Sequence, residues 1–169
     1  MNHATRHSRS CRAFTMIEAS VSVAIVGILL VVALNTVGAS TANQFRSAQN
    51  ATADQLAQGL LDDILQLPFE EPKSTPLFGR ESGESAFSKT NYDDVDDFIG
   101  WSESPPQDRA STPMPELTGW TRSVIVEWVL TAAPTTISLS DTGLKRITVT
   151  VSRNGIPLST RAGLKGRHS

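Results

Sequence analysis

The sequence predicts an α+β protein: a long amino-terminal helix, membrane-spanning in its first half, packed on a small antiparallel sheet of about three strands. Three observations carry that prediction. An apolar run without charge extends from Ala19 to Ala39, an amphipathic stripe continues to Leu67, and short alternating strands fill the carboxyl end. With 169 residues the chain suits one modest domain with appendages.

The apolar run, ASVSVAIVGILLVVALNTVGA, is 21 residues long. As a helix rising about 1.5 Å per residue it covers roughly 30 Å, the thickness of a bilayer core. Residues 1–13 carry Arg6, Arg9 and Arg12 and no acid, so the positive-inside rule leaves them cytoplasmic and the remainder outside. Glu18 borders the run, and a carboxylate held near the bilayer centre costs on the order of a few kcal/mol. A cut between Ala13 and Phe14 would compensate it. The new amine would lie one helical turn away, and the free N–H groups of a first turn favour negative charge.

The segment Arg12-Ala13-Phe14-Thr15-Met16-Ile17-Glu18, with its basic approach and apolar sequel, resembles the processing motif of type IV prepilins and type II secretion pseudopilins. The resemblance implies a pilin-like fold and a leader at 1–13, removed after Ala13 by a prepilin peptidase that also methylates the amine of Phe14. It implies that Glu18 attracts the terminal amine of a neighbouring subunit during assembly. The implied partners are other pilin or pseudopilin subunits, an inner-membrane assembly platform, and membrane lipid around residues 14–39 before assembly. The implied location is the cytoplasmic membrane with a periplasmic carboxyl-terminal domain, then a pilus or pseudopilus. Two positions depart from the family pattern. Ala13 stands where Gly is usual, and Asn35 where many members carry a helix-bending Pro; Gly27 and Gly38 supply softness instead.

Two readings compete. An ordinary secretory signal, cut after Ala39 at Val37-Gly38-Ala39, would release a soluble binding domain; the glutamate before the apolar core, and the length of that core, argue against it. A single-pass membrane protein that never polymerises is the other.

In segment 40–67 the apolar stripe runs through Phe45, Ala48, Thr52, Leu56, Leu60, Ile64 and Leu67, with Asp54, Gln58 and Asp62 opposite. Pro68 ends it. One helix from about Phe14 to Leu67 is expected, or two with a bend near Gly38. Segment 68–121 is rich in Pro, Ser, Gly and acids and reads as an irregular excursion. Within it Asp93, Asp94, Asp96 and Asp97 invite a calcium reading, because hard cations take several carboxylate oxygens, and pseudopilins of one class bind calcium in a loop. The spacing fails the EF-hand pattern, since Ile99 occupies the glycine position. The favoured alternative is an acidic loop pinned to the core by Tyr92, Phe98 and Trp101, with no cofactor.

Segment 122–169 reads as a meander. Arg122 to Thr131 places Val124, Val126, Trp128 and Leu130 on one face, and Leu144 to Ser152 alternates Ile147, Val149 and Val151 with Thr148 and Thr150. Asn154-Gly155 signals a tight hairpin into Ile156–Thr160. The stretches YDDVDDFIGW, GWTRSVIVEWV and LKRITVTVS together are similar to minor pilins of the mannose-sensitive haemagglutinin kind. That second resemblance implies a minor subunit.

Charge is polarised: residues 62–116 hold 13 acids and 4 bases, residues 117–169 hold 2 and 7. A solvated surface explains the split, as does a device that orients neighbouring subunits. The histidines are His3, His7 and His168 and the one cysteine is Cys11. The expected domain therefore has no thiol or histidine-assisted nucleophile and no typical zinc site, and no enzymatic activity is expected. Cys11 lacks the preceding apolar segment of a lipoprotein signal. Lys145, Arg146, Arg153, Arg161, Lys165 and Arg167 leave DNA open as a partner, though six charges spread over 23 residues form no dense patch.

Overall fold

The computed structural model describes residues 15–71, 78–81 and 83–167. Ala13 and Phe14, the expected processing site, lie outside the described residues. The chain divides into two compact units, Met1–Phe45 and Arg46–Ser169, and one helix, α1 (Met16–Gln66), contributes to both.

In the first unit every described residue is exposed, including long apolar side chains such as Leu29, Leu30 and Leu34. The small polar residues do not interrupt the helix, because their hydroxyls bond back to carbonyls one turn earlier. Ser20 donates to Met16 O at 2.9 Å, Ser22 to Glu18 O at 2.8 Å and Thr36 to Val32 O at 2.8 Å. Polar groups satisfied in this way are compatible with an apolar surrounding.

In the second unit α1 buries Ala53, Ala57, Leu60, Leu61 and Ile64. The stripe is rotated from the one expected: Thr52 and Leu56 are only half-buried, and Phe45 and Ala48 are exposed. Ala53 and Ala57 are fully buried although small and only weakly hydrophobic, and Leu60 and Ile64 are buried as expected. Pro68, which lacks an N–H, follows the last turn.

Five antiparallel strands form the sheet, against about three expected: β1 (Ser102–Glu103), β2 (Trp120–Leu130), β3 (Ala133–Ile137), β4 (Leu144–Arg153) and β5 (Ile156–Gly166). Their order is β1-β2-β4-β5, with β3 paired to β2. The two strands beyond the expected meander have physical reasons to be inconspicuous. β1 is two residues long, and β3 (APTTI) contains a proline and no alternation. The register of β2 shifts between Val129 and Leu130, so Val129 is buried while Leu130, expected on the apolar face, is exposed. At the β4–β5 hairpin Asn154 (φ 50°) and Gly155 (φ 79°) both occupy the left-handed region, as a two-residue primed turn requires.

Val124 and Val126 from β2 and Ile147, Val149 and Val151 from β4 make the sheet side of the core. Segment 68–121 is irregular yet contributes Val95, Phe98 and Trp101 to that core. Tyr92 meets Phe98 and Trp101 edge to face, with ring centroids 4.9 and 5.5 Å apart.

Candidate functional site

At the start of α1 the carbonyl of Thr15 accepts the N–H of Glu18 at 3.0 Å and of Ala19 at 3.2 Å. Glu18 therefore lies in the first turn, where unpaired N–H groups and the helix dipole favour a carboxylate. It is exposed. The next charged residue along the chain is Arg46. Between them runs the one helix, among the described residues, that is long and apolar enough to cross a membrane.

The four aspartates read together from the sequence divide into different roles. Asp96 is buried against the buried Lys145, whose ammonium donates to both the Asp96 carboxylate and the carbonyl of Phe69. That ammonium also sits over the rings of Phe69 at 4.3 Å and Trp128 at 4.8 Å. Asp94 caps the short 3-10 turn Asp96–Phe98: its Oδ1 accepts the N–H of Asp96 at 2.8 Å and of Asp97 at 3.3 Å. Asp97 Oδ2 accepts the N–H of Asp93 at 2.9 Å and of Asp94 at 3.1 Å. Asp93 and Asp97 are brought instead to Glu84, with one carboxylate oxygen from each of the three within 4.8 Å of the others.

Glu84 is the member that sequence reasoning missed. It stands in a Gly/Ser-rich turn whose only hint is the nearby Glu81, and nothing periodic links that turn to Asp93–Asp97. Burial, followed by the negative charges of Asp96 and Asp97, pushes the Asp94 carboxyl up to about 8. Burial raises Asp97 to about 6, against the two backbone N–H bonds it accepts and with the Glu84 carboxyl adding to the rise. Glu81 is also raised, by burial first and then by the charge of Asp97.

A second buried pair joins Glu103 of β1 to Arg122 of β2, with Lys89 Nζ 3.6 Å from the same carboxylate. Burial lowers the Lys89 ammonium, and Glu103 opposes that shift. The basic carboxyl end is engaged in the same manner. Arg146 pairs with Glu127 at 2.8 Å, Arg161 with Asp54 at 3.1 Å, and Arg167 with Glu70 and Asp141. Lys165 donates to Leu65 O at 2.9 Å and Arg153 lies over the Trp120 ring. Asp54, expected on the solvent side of α1, thus faces β5. The bases of the carboxyl-terminal strands are thus engaged within the fold.

An exposed apolar helix that continues into an amphipathic half, which in turn covers an antiparallel sheet, defines an α+β protein of pilin-like architecture. Residues 8–34 match the family model described as the prokaryotic N-terminal methylation motif. Over those residues the chain is similar to type IV prepilins, whose motif implies processing by a prepilin peptidase and assembly with other pilins. No curated protein and no solved structure matches it.

Proposed function

We propose that this chain is a minor subunit of a type IV pilus or type II secretion pseudopilus, a structural component and not an enzyme. A prepilin peptidase cuts between Ala13 and Phe14 and methylates Phe14, and the mature chain waits in the inner membrane with its second unit in the periplasm. During assembly the apolar half of α1 exchanges lipid for the helices of neighbouring subunits, and Glu18 attracts a neighbour's terminal amine. The observation that carries this reading is the coincidence of the methylation motif with a first-turn glutamate and an apolar helical segment whose described residues, 15–45, are all exposed. A permanently desolvated carboxylate would be costly, and the cut supplies its counter-charge.

Mass spectrometry of the mature amino terminus tests the processing step: methylated Phe14 is the expected result, and a terminus at Ser40 would establish a secretory signal instead. Glu18→Ala should leave the cut after Ala13 intact while strongly reducing the protein in sheared filament fractions. Normal incorporation of that variant would remove the charge-pairing role, and absence of the wild-type chain from such fractions would favour a non-polymerising anchor.

A further inference from the structure

In the second unit a recess of about 320 Å³ opens where the last turns of α1 meet segment 89–109. Its floor is the core itself: Leu60, Tyr92 and Phe98, all buried, with the half-buried Leu67. Three charged residues line it, Lys89, Arg109 and Asp63, two bases to one acid. Arg109 and Asp63 bond to each other at the exposed rim. Lys89 is placed differently, with a side chain only 8% exposed. Its ammonium donates to the carbonyl of Gln107 at 3.2 Å and stands 3.6 Å from Glu103 Oε2, an ion-pair distance too long for a hydrogen bond. Glu103 is engaged through its other oxygen by Arg122. That buried pair is neutral by itself, and the charge of Lys89 is left over. An ammonium has three N–H donors. Even with Glu103 Oε2 counted, one of them finds no acceptor among the described residues, and an incompletely matched buried cation is costly.

We propose that this recess binds a small monocarboxylate with an aryl or alkyl body, the carboxylate held by Lys89 and the body laid on Leu60, Leu67, Tyr92 and Phe98. Small-molecule sites start at about 300 Å³ and combine apolar walls with a few placed polar groups, which is the composition found here. The surplus is one positive charge, and one carboxylate cancels it. A phosphate monoester, with close to two negative charges at neutral pH, would exceed it. A neutral or cationic guest would leave the free Lys89 donor unmatched. Arg109 can turn from Asp63 toward the same carboxylate at little cost, because exposed ion pairs are weak. The rival explanation is that Lys89 does no more than neutralise Glu103 across the gap between them. The site is independent of the pilin reading.

The test uses the full chain in detergent micelles at about pH 6.5, where carboxylate and ammonium are both charged. It is titrated calorimetrically with 3-phenylpropionate, and the heat of titrating micelles alone is subtracted. One molecule should bind per chain. The alcohol 3-phenylpropan-1-ol and the amine 3-phenylpropylammonium have the same body without the negative charge, and each should bind at least about tenfold more weakly. Lys89→Met keeps the apolar stem, and the Gln107 carbonyl still accepts from Arg122 Nη2. That variant should stay folded by tryptophan fluorescence and lose at least about tenfold in affinity. Arg109→Glu, on the exposed rim, turns two bases and one acid into one base and two acids. It should weaken binding at least about threefold, and it keeps the test decisive should Lys89→Met fail to fold. A wild-type chain that gives no binding heat at about 10 mM ligand would overturn the proposal in favour of Lys89 serving Glu103 alone. Equal affinity for the acid and the alcohol would overturn it too, as would unchanged affinity in either variant, by showing an apolar recess that reads no charge.

Discussion

Lys145 offers the sharpest test of how the second unit is held together. Its side chain lies on the same face of β4 as Ile147, Val149 and Val151, fully buried, against the buried Asp96 and the Phe69 carbonyl. Lys145→Met keeps most of the stem volume, so a cavity contributes little. What changes is that Asp96 is left buried without its cation, and removing one partner of a buried pair destabilises by about 3–5 kcal/mol. Loss of the ammonium from the faces of Phe69 and Trp128 adds about 1 kcal/mol. With a urea m-value of about 2 kcal/mol/M for a unit of this size, a loss of about 4 kcal/mol moves the unfolding midpoint down by about 2 M. Tryptophan fluorescence is a suitable assay, since Trp101, Trp120 and Trp128 all belong to this unit. The double variant Lys145→Met/Asp96→Asn should recover most of the loss. Its amide still accepts the Gly79 N–H, bonded at 3.2 Å in the parent, and no charge remains buried. A single variant within about 1 kcal/mol of wild type, or a double variant no better than the single, would refute the reasoning, because either result means that Asp96 does not need Lys145.

Other consequences are equally direct. A Cβ at Gly163 would meet Leu65 Cδ1 at 2.9 Å and Leu61 Cδ1 at 3.3 Å; Gly163→Val should therefore lower stability by about 1–3 kcal/mol in the same urea assay, and Gly163→Ala by less, since a leucine end can yield. The folded carboxyls of Asp94 and Asp97 are raised from 3.8 to about 8 and about 6. Their contribution to stability is full below pH 4 and is lost as pH rises through 6 and then 8. In EDTA the urea midpoint should thus be higher at pH 5 than at pH 9, and Asp94→Asn, which keeps the acceptor for the Asp96 and Asp97 N–H groups, should flatten the upper part of that curve. Arg161→Ala removes an exposed partner of Asp54 and should leave the urea midpoint essentially unchanged.

What could be read from the sequence is what repeats or lies local along the chain. The apolar run, the glutamate at its head, the alternation of β4 and the Asn154-Gly155 turn are each specified by neighbours in sequence, and each has its place in the fold. Less legible was whatever depends on distant partners. Lys145 occupies an in-phase position of the alternating row, one step before Ile147, so its burial was readable, but its partner lies 49 residues earlier. The helical stripe was right at Leu60 and Ile64 but missed Ala53 and Ala57, which are buried while carrying little hydrophobicity. Glu84 left little trace beyond the nearby Glu81: a turn of Gly and Ser has no period, and its neighbours Asp93 and Asp97 lie nine and thirteen residues later.

The charge asymmetry of the chain bears on how such subunits would attract one another. Thirteen acids in 62–116 facing seven bases in 117–169 suggests, on composition alone, a surface that orients neighbours. In the folded second unit the bases of 117–169 are instead engaged internally. Asp96 meets Lys145, Glu103 meets Arg122, Glu70 meets Arg167, and Asp54 of α1 meets Arg161. An acid already paired within its own subunit gains little from a neighbour's base, because the new contact must first displace the old one. In the first unit the position is reversed. The hydroxyls of Ser20, Ser22 and Thr36 bond back along the helix, the apolar side chains are exposed, and Glu18 stands as the one charge among residues 15–45. Association between copies of this chain should accordingly depend on α1 and on Glu18. Substitutions at Arg161 or Arg167 should act through the stability of their own subunit more than through contacts with its neighbours.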